Sequence, residues 1–492
     1  MSLMVSIKLE NPFSATFRNK SNRMKNWRYL KTSLIVAALL VPFPETAVSQ
    51  DTKTYTGEEI LGMIEANGDY VFAAAATDID KARARRDQAT AALYPTVSLS
   101  ATSQKYQSTQ KWREDNAEVY GTLEVAQPIY DFGKSAAEID ASGSDVAAAE
   151  QAMIAARNAV LMEGLAVFYN LHASEVKLRA DYEAHTSVYV RWETAKERLV
   201  LGTANPMEVA EWLTKVEKTR LIYRREQSRN THLRLRLEEL TGATFDDELV
   251  APPPPPKEKP FDVDREDFAN AVMARNPGIL ALIKKAEATG MRRDGVGSLP
   301  SLQAFANVGH YSRDMRGRNE YAYGARLSWP IFDGGINSAK RSQLAADERR
   351  LNAQIATKKG ALRLAAHDLI LARDDSFQHV ISALADKDFN DRQLLYRQQL
   401  YMQNRVSDLG PAMGRSTASD AELIRATGSY YVNLAKIAVI LGEHPAEGLK
   451  PNFLTRMTGQ TGLPTDQFVP KAGSGFGQDD QNTLNRNPNK PK

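Results

Sequence analysis

Pro128-Ile129-Tyr130-Asp131-Phe132-Gly133 and Pro330-Ile331-Phe332-Asp333-Gly334-Gly335 are nearly the same phrase, written twice, 202 residues apart. Each follows a run with strand periodicity and opens a run with helix periodicity. Proline has no N–H to give to a ladder, so Pro128 and Pro330 are expected to end strand pairing. Asp131 and Asp333 can accept backbone N–H bonds from the first turn of the helix that follows. Gly133 and Gly335 supply the backbone freedom that a sharp corner requires. A strand-to-helix corner repeated in this way predicts a duplicated chain.

Upstream of each corner the period is two. Val97, Leu99 and Ala101 alternate with Ser98, Ser100 and Thr102. After a polar loop over 107–117, Val119, Gly121, Leu123 and Val125 alternate with Tyr120, Thr122 and Glu124. The second copy repeats the pattern after Pro300. Leu302, Ala304, Ala306 and Val308 oppose Gln303, Phe305 and Asn307, and Tyr321, Tyr323, Ala325, Leu327 and Trp329 oppose Gly324, Arg326 and Ser328. Runs of about ten residues with one apolar and one polar face suit strands with lipid on one side and water on the other.

Downstream the period is that of packed helices. Residues 56–93 read as one helix stopped by Pro95, and no proline interrupts the chain from Lys134 to Leu201. Ile154, Leu161 and Phe168 stand seven apart, as do Ile355, Leu362 and Leu369, the spacing of helices that pack side by side in a supercoil. Sixty-odd helical residues make a rod of roughly 100 Å, too long for a compact core. The break over 201–208 leads to a return helix that ends at Leu240-Thr241-Gly242, and the second return helix ends at Ile440-Leu441-Gly442. Glu208 and Asp408 each stand 34 residues before those glycines. The acid is therefore a second landmark of the repeat.

The first fifty residues have the form of an export signal. Lys25, Arg28 and Lys31 flank the apolar run from Ser33 to Val41, and Ala47-Val48-Ser49 offers small residues for cleavage. Met24 would open a signal of ordinary length, which makes it an alternative start to Met1. Pro42 and Pro44, with the shortness of the run, argue against a membrane anchor. The whole chain has a formal charge of +3, but residues 1–49 carry seven Lys/Arg and two Asp/Glu, leaving the remainder at −2. The basic excess thus belongs to the signal and gives no support for nucleic-acid binding. The absence of cysteine excludes disulfides, thiolate metal sites, a cysteine nucleophile and an N-terminal lipidated cysteine. Beyond residue 50 no uninterrupted apolar run is long enough for a spanning helix. The organisation read from these features is a signal peptide at 1–49, a first repeat at 50–251, a proline-rich linker at 252–260, a second repeat at 261–453 and a disordered tail at 454–492. Five consecutive prolines, Pro252 to Pro256, make the linker an extended spacer.

The expected fold class is mainly α with a small β part: duplicated long-helix hairpins and four strands per chain. Four lipid-crossing strands cannot close a barrel, and open strand edges are not viable in a bilayer, so several chains must share one barrel. In the corners, the two strand pairs and the Gly242 and Gly442 helix ends, the chain resembles the TolC-type outer-membrane efflux and type I secretion channel family. The resemblance runs over about residues 55–450. It implies a homotrimer with a shared twelve-stranded barrel in the outer membrane of a Gram-negative bacterium. Below the barrel it implies an α-barrel tunnel reaching through the periplasm to an adaptor protein and an inner-membrane ABC or proton-driven transporter. It also implies a gate where the long helices turn into the return helices, with Glu208 and Asp408 at the acidic positions and Arg405 beside the pairing arginine's position, which Asn404 occupies. The pattern departs at Pro411, where the family has a second acid, and at Met402, where it usually has glycine. Simple helix capping, worth about 0.3–1 kcal/mol, is the alternative role for both acids, and their recurrence in both copies favours the gate.

No enzyme is legible in the sequence, and no cofactor. The seven histidines, His172, His185, His232, His310, His367, His379 and His444, include no i, i+4 pair of the helical zinc type and read mostly as solvated helix-face residues. Gly295-Val296-Gly297 reads as a helix stop, and capping explains Asp131 and Asp333. A trimeric coiled-coil surface adhesin or structural rod is the competing reading, and paired hairpins in both halves argue against it. Protein secretion and drug efflux use the same scaffold, so the cargo stays open.

Overall fold

The computed structural model describes residues 55–107, 116–245, 256, 263–312, 319–403, 405, 409–450 and 453. The expected signal peptide, nearly all of the proline linker and the tail lie outside the described residues.

The described chain is two passes through one plan. The first has α1 (Gly57–Ala66), α2 (Gly68–Val71), α3 (Ala73–Ala91), β1 (Thr96–Tyr106), β2 (Asn116–Tyr130), α4 (Lys134–Val200) and α5 (Pro206–Thr241). The second has α6 (Arg265–Arg275), α7 (Pro277–Asp294), β3 (Ser301–Tyr311), β4 (Tyr321–Ser328), α8 (Ile336–Met402), α9 (Gly410–Ile440) and the short α10 (Pro445–Leu449). Helices α4 and α8 are each 67 residues long, about 100 Å at 1.5 Å per residue.

The single helix expected over 56–93 is instead three. Asn67 leaves the helix because its side-chain amide donates to the carbonyls of Glu239 at 3.4 Å and Leu240 at 3.1 Å. Those carbonyls end α5 and have no partner within their own helix. The second copy uses the same device: Asn276 separates α6 from α7 and donates to the carbonyl of Ile440 at 3.0 Å, at the end of α9. The entry caps recur too. Thr56 forms a capping box with Glu59, and Asp264 accepts from the N–H groups of Glu266 and Asp267. These paired asparagines and caps are repeat landmarks that the hydrophobic pattern does not announce.

Two apolar clusters follow from the plan. Ile60, Leu61 and Ile64 of α1 pack on Leu161, Leu165 and Phe168 of α4 and on Leu237 and Leu240 of α5. Phe268 and Val272 of α6 pack on Ala366 and Ile370 of α8 and Ile437 and Ile440 of α9. Approach is closest at Gly164, where an added Cβ would lie 2.1 Å from Ile64 Cδ1. One 18-residue stretch of α4 has a mean hydropathy of 1.3, high enough for a membrane span by composition. Charged residues such as Arg157, Glu163 and Glu175 interrupt this part of α4, so it is not an uninterrupted apolar run. Its apolar content serves packing, because α4 touches α1, α3, α5, α7, α9 and α10.

The helices form open arcs. Near the sheet the packing order is α3, α4, α7, α8; beyond it, α5, α4, α9, α8. Neither arc closes on itself, so α3 and α5 stand at one margin and α8 at the other.

Candidate functional site

The four strands form one antiparallel sheet in the order β1-β2-β3-β4. Its register decides which side chains share a face. Leu99 stands opposite Leu123, Leu123 opposite Val308, and Val308 opposite Tyr321. One row up, Val97, Val125, Ala306 and Tyr323 are aligned in the same way. All four alternations therefore put their apolar residues on one side. The opposite side carries Ser100 and Thr122, whose hydroxyls are 2.6 Å apart, and Gln104, which donates to Glu118 at 3.3 Å. Arg326 lies there too, over the Phe305 ring at 4.8 Å. Leu99, Val308 and Tyr323 are more than half exposed, so no described residue covers the apolar face. Among the described residues, the outer edges of β1 and β4 are unpaired.

At the corners the aspartates act on the helix start. Asp131 Oδ2 accepts from the Ser135 N–H at 2.8 Å; Asp333 accepts from the Gly335 and Asn337 N–H groups at 2.9 and 3.0 Å. The backbone bonds from Asn337 and Gly335 hold the Asp333 carboxyl below its ordinary range. The two corners share one backbone path: φ is 56° and 92° at Phe132 and Gly133, 64° and 89° at Gly334 and Gly335. Phe132 thus occupies a left-handed position that glycine fills in the second copy, at a cost of roughly 1–2 kcal/mol. Its ring packs on Tyr130, with centroids 4.8 Å apart.

The two prolines behave differently from each other, and only Pro128 departs from expectation. Pro128 does not end strand pairing: β2 continues to Tyr130, with Pro128 opposite Gln303 and a register shift before Tyr130. Pairing with β1 ends at Ala126, so at Pro128 strand β2 is bonded to β3 alone, and the bulge absorbs the missing N–H. Strand β4 is an edge strand and stops at Ser328, so Pro330 lies outside the sheet.

At the far ends of α4 and α8 are the turns that carry the predicted acids. Glu208 is in the first turn of α5, where Asn205 caps the helix by accepting from the Glu208 N–H at 2.8 Å. Its carboxylate accepts from Arg198 Nη1 at 2.9 Å, and Arg198 Nη2 donates to the Thr203 carbonyl at 3.1 Å. Arg198 therefore ties the end of α4 to the turn and to the start of α5. The sequence reading missed it, although a basic residue in the last turn of a long helix facing an acid in the first turn of the next is a readable signal.

The second turn is not a copy of the first. Asp408 lies outside the described residues, and α9 begins only at Gly410, with Leu409 as a cap lacking a side-chain bond. Arg405 is exposed and forms no ion pair with a described residue. The structure brings Glu208 to Arg198 and leaves Arg405 apart from both.

A charged cluster joins the short helices to α4. Glu65 of α1 accepts from Arg157 of α4 and lies 2.8 Å from Nε2 of His444, whose Nδ1 caps α10 by accepting from the Ala446 N–H. Partial burial alone would raise the Glu65 carboxyl, but the bonds from Arg157 and His444 outweigh it and hold the group below its ordinary 4.5. A depressed folded-state value favours the folded protein above the unfolded-state value, and that contribution is lost as pH falls through the folded one. The thermal midpoint is expected to fall as the medium is acidified below about pH 4.5, and Glu65→Gln should flatten that slope. Identical slopes for the two proteins in a pH series of melts would refute it.

The histidines are less solvated than the sequence suggests. His232 and His379 are exposed on helices, but His310 stands on β3, His172 is buried, and His185, His367 and His444 are half-buried. Among the described residues no three His, Cys, Asp or Glu side chains converge as metal ligands do.

With this geometry in hand, residues 68–243 match the outer membrane efflux protein family. No curated protein matches the chain. The fold is shared with the Campylobacter jejuni CmeC outer membrane channel at 17% identity and a TM-score of 0.62, over 83% of this chain and 94% of that one. It is shared with the outer membrane protein VceC of Vibrio cholerae at 15% identity and 0.58, over 78% and 96%. The open-state MtrE outer membrane channel of Neisseria gonorrhoeae matches at 18% and 0.57, over 78% and 89%. The resemblance to the TolC-type channel family, and a mainly α fold with a small antiparallel sheet, are borne out by these comparisons.

Proposed function

We propose that this chain, with the outer membrane efflux protein pattern in its first half, is the passive exit duct of an envelope-spanning export system. The observation that carries the reading is the sheet. One face is apolar across all four strands and exposed, both edges are unpaired, and the strands run directly into two 67-residue helices. Unpaired edges in a bilayer are costly enough to demand closure, and copies of the same sheet joined edge to edge provide it. Three copies give twelve strands, with the apolar face toward lipid and the Ser100, Thr122 and Arg326 face toward water. Tyr94, Tyr130, Trp329 and Phe332, all exposed around the strand-helix junctions, sit where aromatic girdles flank an apolar band.

The helices then extend the duct through the periplasm, and the ends of α4 and α8 away from the sheet form its far end. Glu208 and Asp408 would ring the opening there, favouring cations, and helix rearrangement would widen it. A periplasmic adaptor and an inner-membrane ABC or proton-driven transporter would deliver the cargo, a protein or small molecules. The surface-rod alternative gives no use to a sheet with one bare apolar face.

The test is fractionation of cells producing the full chain, with gel migration before and after heating. The expected result is an outer-membrane protein whose oligomer band collapses to a monomer on boiling. A soluble periplasmic monomer would overturn the proposal.

A further inference from the structure

Asn67 and Asn276 tie down a return helix in the same way, but the residues that follow them differ in chemistry. Asn67 precedes Gly68, and this is the one Asn-Gly pair in the sequence. Asn276 precedes Pro277. An asparagine loses its amide when the backbone nitrogen of the next residue attacks the side-chain carbonyl carbon. Glycine favours this attack, because it has no side chain to shield its N–H and lets the backbone turn freely. Proline has no N–H to give up, so the route is closed to Asn276.

The folded chain holds Asn67 away from the reaction. Its ψ of 15° puts the Gly68 nitrogen on the far side of the Cα–C bond from Cβ, whereas ring closure needs both on the same side. The Asn67 carbonyl opposes that rotation, since it accepts from the Tyr70 and Val71 N–H groups at 3.1 and 3.2 Å. The side chain is held separately. Its amide donates to the Glu239 and Leu240 carbonyls, and Gly242 lies so near that an added Cβ would stand 3.2 Å from Asn67 Cγ. This tie exists only once α5 has docked, because its acceptors stand 172 and 173 positions along the chain.

We propose that Asn67 is a site of spontaneous deamidation, suppressed in the folded protein by its tie to α5 and destructive of that tie when it occurs. The Gly68 nitrogen bonds to Asn67 Cγ, the Cγ–Nδ2 bond breaks, and ammonia leaves with the proton from the Gly68 N–H. Water then opens the succinimide ring at one of its two carbonyls, giving aspartate or isoaspartate. Aspartate puts an acceptor-only carboxylate where two carbonyls need a donor. Isoaspartate routes the main chain through the side-chain carbon and lengthens it at the kink. Either product takes from the Glu239 and Leu240 carbonyls the partner that ends α5. The first half of the plan therefore carries a chemical liability that the second half lacks, and the damage accumulates only while the joint is open.

Incubating the full-length protein at neutral pH, folded in detergent and unfolded in urea, tests this, with peptide mass spectrometry reading acid and isoaspartate at every asparagine. In urea, Asn67 should convert faster than any other asparagine and Asn276 should stay intact. In the folded protein, conversion at Asn67 should be about tenfold slower or more, because it proceeds only through local opening. Gly68→Ala should slow the reaction in urea several-fold. These urea measurements need no variant to fold. Asn67→Asp should lower the thermal midpoint, and so should Asn276→Asp, which loses the equivalent bond. Equal rates in the folded and unfolded protein would overturn the protection, and an unchanged melt for Asn67→Asp would overturn the damage. If another asparagine converts first in urea, or Gly68→Ala has no effect there, the site is wrongly assigned.

Discussion

Leu123→Arg is expected to remove the protein from the outer membrane, while Thr122→Arg, one residue away, leaves it there. Leu123 is at the middle of β2, in a row with Leu99, Val308 and Tyr321 on the bare apolar face. Thr122 points to the other side, against Ser100. Arginine at the lipid-facing midplane of a barrel costs about 2–4 kcal/mol, whereas the water-facing side tolerates charge. The proposed trimer would contain the substitution three times, so the cost is about 6–12 kcal/mol per assembly, comparable to the whole stability of an ordinary domain. Fractionation and the heat-sensitive oligomer band read the result. Equal tolerance of both substitutions would mean that the sheet does not face lipid.

Glu208→Gln combined with Asp408→Asn is expected to raise single-channel conductance in planar bilayers several-fold and to weaken the preference for cations. The Arg198–Glu208 pair is half-exposed, with its side chains 49% and 33% accessible. Such a pair is worth at most about 1 kcal/mol. Its effect comes from repetition: three copies acting on one opening can supply about 1.5–3 kcal/mol, roughly 10- to 150-fold in a closed-to-open equilibrium. Arg198→Gln separates closure from charge. It frees the turn in the same way, so conductance should also rise, but it leaves Glu208 unpaired and should strengthen cation preference. Opposite movements in selectivity with the same movement in conductance identify Arg198–Glu208 as part of the closure. Unchanged conductance in both variants would remove these residues from it.

The candidate site was legible in part because its residue types repeat. Glu208 stood out as an acid matched by Asp408, and the corner aspartates stood out for the same reason. Arg198 did not, because its partner is ten residues away across a turn whose path is set by Asn205 and Pro206. Asn67 and Asn276 were invisible for a related reason. Each breaks a helix in order to satisfy carbonyls on a return helix 172 and 164 positions further along the chain, and no local pattern marks that need.

The sequence by itself determined the duplication, the change from period two to helical period at each corner, and the two long helices, to within a residue of Lys134 and Leu201 in the first copy. It also determined which residues of each strand share a side. All of these are local properties: side-chain direction follows from backbone geometry, and backbone preference from a few neighbours. Only the tertiary structure decided that four alternations align into a single apolar face, that α4 and α9 join the halves into open arcs, and that Pro128 sits inside a strand while Pro330 lies beyond one. Those outcomes depend on what stands across from a residue. Strand β3 still places Gln303 and Leu302 across from Pro128 and Tyr130, whereas its pairing with β4 begins at Ser301 opposite Ser328 and leaves nothing across from Pro330, so the same Pro-Ile-aromatic-Asp phrase bulges in the first copy and lies past the strand in the second.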